Sequence, residues 1–146
     1  MLLAMIVSTV LVLTTVLIHY EILRFASLAL PHIHLPPRQR ILVVIVAAFL
    51  AHTIEVWMFA LAYFLLANHF GLGSFQGDFD GSLHDHLYFS SVTYTSLGFG
   101  DVSPIGGLRL VSGVEALTGL MMIGWSASFT YLAMEKFWSM HGPRRR

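Results

Sequence analysis

Three stretches of this chain, Met1 to Tyr20, Ile41 to Ala67 and Leu108 to Phe137, are long and almost wholly apolar. Roughly 20 such residues make a helix that crosses the hydrocarbon of a bilayer. Water is absent there, so every backbone group must be satisfied within a helix or a closed barrel. Three spans in 146 residues leave little chain for any other architecture. Composition agrees. Hydrophobic residues make up 56% and charged residues 11%, against about 45–50% and 25% in soluble domains. The net charge of zero supplies no basic footprint for nucleic acid. With no cysteine, disulfides and thiolate metal sites are excluded.

The spans are separated by recognisable breaks. The first helix is expected over 1–30. A secretory leader is the competing reading, but the start carries no Lys or Arg, and Glu21 and Arg24 interrupt the approach to Ser27-Leu28-Ala29. Pro31, Pro36 and Pro37 forbid a continuous helix and make 31–40 a loop. The second helix is expected over 41–67. His69 to Asp85, rich in Gly, Asp and His, has no run apolar enough to form a core and reads as an exposed loop. A helix over 83–95 is too short to cross and is expected to be re-entrant. Pro104-Ile105-Gly106-Gly107 turns the chain into a third helix over 108–138, and 139–146 is a basic tail. Among eight histidines, the close pairs are His32 with His34 and His84 with His86. Solvated loop histidines and metal ligands both stay open for them.

Between the re-entrant segment and the third span lies Thr95-Ser96-Leu97-Gly98-Phe99-Gly100-Asp101. Glycine tolerates positive φ. A strand whose φ alternates in sign can turn successive carbonyls to one side. Several such strands around an axis make a ladder of oxygens that replaces the hydration shell of a cation. The string resembles the selectivity filter of two-transmembrane pore-domain potassium channels, usually Thr-Val-Gly-Tyr-Gly-Asp, and the resemblance covers roughly Arg40 to Phe137.

The resemblance implies an all-α membrane protein assembling as a homotetramer, with outer helix 41–67, pore helix 83–95, filter 96–100 and inner helix 108–138. The N-terminal helix is extra. Ser96, Leu97, Gly98, Phe99 and Gly100 correspond to the filter, with K+ at their carbonyls as permeant ion and no cofactor. Thr95 and Asp101 would support the filter. Ser96, Leu97 and Phe99 depart from the common form, and Phe99 loses a phenolic hydroxyl. Met121, Gly124, Ser128 and Leu132 would line the cavity below, with Gly119 or Gly124 as hinge.

Charge counting orients the chain. Arg24, Arg38, Arg40, Lys136, Arg144, Arg145 and Arg146 share one side, and Arg109 takes the other. The positive-inside rule puts the seven in the cytoplasm. The expected protein is then a multi-pass cell-membrane protein with N-terminus outside, C-terminus cytoplasmic and filter opening outward. Asp78, Asp80, Asp85 and Asp101 lie on the outer side, where acids either concentrate cations or keep a loop soluble.

Glu55 and Glu115 fall within spans, where acids are costly and usually paired or functional. Glu115 is expected to brace the pore helix. His52 and Glu55, three apart on one helix face, are either a proton sensor or a pair that satisfies itself. No nucleophile–base or metal-ligand set is assembled in the sequence, so a non-enzymatic potassium channel is expected. A weakly selective Na+/K+ channel and a non-conducting membrane adaptor are the alternatives.

Overall fold

The computed structural model describes residues 1–36 and 39–139, without the side chains of residues 137–139. Arg38, Pro37 and the basic tail with Arg144, Arg145 and Arg146 lie outside the described residues.

Three long helices and one short helix make the architecture. α1 is Leu2–Ala29, followed by a 3-10 turn Leu30–His32. α2 is Arg40–Asn68, α3 is Leu83–Tyr94 and α4 is Leu108–Ser139. α1 with its turn, α2 and α4 are each long and apolar enough to cross a membrane. Hydroxyls within these apolar helices bond back one turn: Thr9 to Met5 O, Thr53 to Phe49 O, Thr118 to Val114 O and Ser128 to Gly124 O. Each is thereby satisfied without water.

Only one face of each long helix is buried inside the chain. On α1 it is Ala4, Ser8, Leu11, Thr15, His19, Leu23 and Ala26, a row at steps of three and four. On α2 the row includes Val44, Ala48, Ala51, Glu55, Phe59 and Tyr63. On α4 it is Leu108, Val111, Glu115, Thr118, Met122 and Ser126. Ala4 and Leu11 of α1 join Phe59, Tyr63, Phe89, Tyr94 and Met122 in one hydrophobic core. The N-terminal helix is therefore packed into the body that holds α3.

The segment before α3 is not the featureless exposed loop that its composition suggested. Phe75–Gly77 forms a strand, β1, antiparallel to β2, Val102–Pro104, with Gln76 opposite Ser103. Phe75 and Phe79 stack with ring centroids 4.4 Å apart and pack against the core. Their aromatic area drives the packing, and the polar neighbours hid it. His86 is likewise no solvated loop residue. It is buried, its ring edge-on to Phe75 and Phe79, with Nδ1 2.7 Å from Ser82 O.

Candidate functional site

α3 begins on a dense cap. Ser82 Oγ accepts from the Asp85 N–H at 3.2 Å. Asp85 Oδ2 accepts from the Asp80 N–H, and Asp80 Oδ1 from the Ser82 N–H, both at 2.7 Å. Orphan N–H groups at the helix start are satisfied this way, and the acidic Asp85 suits the positive end of the helix dipole. Hydrogen bonding to Asp85, and then to Ser82, holds the exposed Asp80 carboxyl below its usual value. The acid thus stays ionised to lower pH than a free aspartate.

The body of α3 is fastened by two carboxylates. Ser90 Oγ donates to Glu115 Oε1, and Tyr63 Oη donates to Glu115 Oε2, each at 2.5 Å. One turn on, Tyr94 Oη donates to Glu55 Oε2. His19 Nδ1 of α1 stands 2.9 Å from Glu55 Oε1, and His19 Nε2 stands 3.0 Å from Ser126 Oγ of α4. His52 Nδ1 is 2.9 Å from Tyr94 Oη but 3.6 Å from Glu55 Oε2. His52 and Glu55 therefore do not simply satisfy each other, since each has a nearer partner. The sequence reading missed His19, Tyr63, Ser90 and Tyr94. Its one available signal was the row Ser8, Thr15, His19, polar groups at steps of seven and four along one face of the helix.

α4 meets the end of α3 at Gly119. A Cβ built there would lie 2.0 Å from the Tyr94 carbonyl oxygen. Only glycine lets the helix backbone approach so closely. Gly124 has open space around it.

Beyond Tyr94 comes Thr95–Asp101, a strand in no sheet, with a turn at Thr95 and Ser96, irregular backbone to Phe99 and a bend at Gly100 and Asp101. Thr95 caps α3, with Oγ1 donating to Ser91 O at 2.9 Å. The Ser96 N–H donates to Thr93 O at 2.9 Å and the Leu97 N–H to Val92 O at 3.0 Å. φ is positive at Ser96 (57°), Gly98 (56°) and Gly100 (84°), at every second position. Ser96 is the only non-glycine with positive φ among the described residues. Such a conformation costs about 1–3 kcal/mol and persists where the surroundings impose it. Ser96 through Gly100 are all exposed in the single chain, Leu97 at 60% and Phe99 at 65%. Asp101 accepts from Tyr88 Oη at 2.6 Å, which ties the far end of the strand to α3.

Met121, Gly124, Ser128 and Leu132 lie together on the exposed side of α4, opposite its buried row.

Residues 41–136 match the ion channel family. The chain belongs to this ion channel family. The match takes in α2, α3, the Thr95–Asp101 strand and α4 to Lys136, and leaves α1 outside. The chain is also similar to Protein LctB of Bacillus caldotenax, 50% identical over 40 residues, which are 27% of this chain and 30% of that protein. Protein LctB of Geobacillus stearothermophilus is 48% identical over 40 residues, with the same coverage. The chain thus spans about 30% of the length of the curated relatives it matches. No solved structure matches it.

Proposed function

We propose that the protein is the pore subunit of a homotetrameric channel that conducts K+ passively through the cell membrane. The observation that carries this reading is the alternation of φ at Ser96, Gly98 and Gly100. With every second residue in the left-handed region, carbonyls from Ser96 to Phe99 can face one axis. Four copies would supply rings of oxygen that replace water around K+ as ions pass in single file. Exposed irregular backbone survives at membrane depth only when protein or a water-filled pore covers it. A ring of copies does both. The exposed stripe Met121, Gly124, Ser128, Leu132 would then line the cavity beneath, and the negative C-terminal end of α3 would favour a cation there. Asp80, Asp85 and Asp101 would give the outer mouth its negative potential. Cytoplasmic placement of Arg40 and Lys136 orients the filter outward.

A weakly selective Na+/K+ pore is a second reading, favoured by one observation. Phe99 has no hydroxyl to brace the strand from behind. Flux from liposomes containing the full chain separates the two. Steep preference for K+ and Rb+ over Na+, with block by Ba2+, is the expected result. Equal K+ and Na+ fluxes would select the second reading, and no flux of either ion at any pH or voltage would overturn both.

A further inference from the structure

Glu55 carries more imidazole than the bracing of one tyrosine requires. One ligand atom each from His19, His52 and Glu55 lie within 4.8 Å of one another. His19 Nδ1 is 2.9 Å from Glu55 Oε1, and His52 Nδ1 is 3.6 Å from Glu55 Oε2. Around a tetrahedral ion with bonds of 2.0–2.1 Å, ligand atoms stand about 3.3 Å apart. The set is thus already gathered near that spacing. His52 and Glu55 are three apart on α2, the spacing by which helix bundles present a carboxylate and an imidazole to one metal. The third ligand arrives across the interface from α1.

Two further features suit a metal. The His19 ring is oriented by Ser126 at its far nitrogen, as metal-bound imidazoles usually are. There is also a way in. The His52 side chain is 21% exposed. It lines a cavity of about 380 Å³ beside α2 and α3, walled in part by Trp57, Ser91 and Ile123.

We propose that His19, His52 and Glu55 bind a divalent transition ion of the Zn2+ class. Two imidazoles and a carboxylate suit such an ion, whereas Mg2+ and Ca2+ require oxygen ligands. On binding, each Nδ1 releases any proton it carries and the carboxylate is held ionised. Both partners of the Tyr94 hydroxyl, His52 Nδ1 and Glu55 Oε2, become metal ligands. The ion therefore either displaces that hydroxyl or takes its oxygen as fourth ligand. Tyr94 is the last residue of α3, two before Ser96, so occupancy bears directly on the strand. The helix that lies outside the family match thereby acquires a task, since it delivers His19.

The test uses the full chain in detergent, titrated with Co2+ as a spectroscopic probe. The expected result is one Co2+ per chain, with the absorption bands of a four-coordinate ion, displaced by Zn2+. Zn2+ is also expected to raise the unfolding temperature of the wild type. His52→Ala, at a partly exposed position that tolerates truncation, should weaken Co2+ binding by more than about a hundredfold, and Ser126→Ala by about tenfold. His84→Ala, on an exposed residue outside the set, should leave binding unchanged. No bands at Co2+ concentrations up to about a millimolar, far above the range of a built site, would overturn the proposal. Bands that persist at full strength in His52→Ala would do the same. Neither readout requires conduction, so a failure here is distinct from a failure of the channel reading.

Discussion

Glu115 and Glu55 are both fully buried among the long helices, and both fasten α3. Their company differs. Glu115 meets two hydroxyls, Tyr63 and Ser90, and both belong to residues within the family match. Hydroxyls donate or accept as required, so this acid is held in place whichever form it takes. Glu55 meets a tyrosine and an imidazole from α1, with a second imidazole at the longer distance of 3.6 Å. Imidazoles exchange protons near neutrality and bind metals. The first carboxylate is a fixed anchor at the middle of α3. The second is an anchor at its end that stands among groups able to ligate a metal. A buried acid in a membrane is thus not one kind of feature, and the donors around it decide which kind it is.

The contrast can be broken at either end. Glu115→Leu leaves the buried Tyr63 hydroxyl without an acceptor, at about 1–3 kcal/mol, and leaves Ser90 only the Val56 carbonyl. It should give the largest loss, seen as failure to assemble or as a strongly lowered unfolding temperature in detergent. Survival of an assembled, conducting Glu115→Leu protein would remove the fixed anchor from the account. Gly119→Ala comes next. Its Cβ meets the Tyr94 carbonyl at 2.0 Å, and overpacking of that kind costs about 1–3 kcal/mol or more. Flux should fall steeply, while Gly124→Ala, with open space around it, should leave stability unchanged. Equal effects from the two alanines would show that the close approach is unimportant.

The smallest and sharpest comparison pairs Ser90→Ala with Tyr94→Phe. Each deletes one hydroxyl donor, worth about 0.6–2 kcal/mol between membrane helices. The two should shift unfolding to similar extents. Only Tyr94→Phe should alter ion flux or selectivity, because Tyr94 adjoins the strand and Ser90 sits a turn behind it. Identical flux in both variants would place the two anchors on an equal footing.

Much of the architecture was legible in the sequence because lipid imposes a simple rule. Long apolar runs must be helices, and the breaks at Pro31, Pro36, Pro37 and Pro104 are unambiguous. The alternating glycines of Gly98-Phe99-Gly100 also state a backbone requirement in their own letters. What stayed hidden was long-range partnership. Glu55 and Glu115 stood out as acids in spans, but Tyr94, Ser90 and Tyr63 look like ordinary membrane residues until the helices are packed. His19 was the hardest to read, because its partners are 36 and 107 residues away. The β1–β2 ribbon was invisible for a different reason. Three-residue strands rich in polar groups and glycine carry no periodicity to detect.

That ribbon has a mechanical consequence. By joining Phe75–Gly77 to Val102–Pro104, it closes the segment that carries α3 into a loop and pins the chain just before α4 begins. The ribbon thus fixes the first end of a helix whose buried row runs on from Leu108 to Ser126. α4, from Leu108 to Ser139, is about 48 Å long at 1.5 Å per residue. A tilt of about 10° about its clamped end would carry the opposite end about 8 Å at that length, while Gly119, nearer the pivot, would travel a fraction of that distance. Any tilt of α4 about that end would therefore be felt more at Ser139 than at Gly119, and the ratio is set by where the ribbon holds the chain.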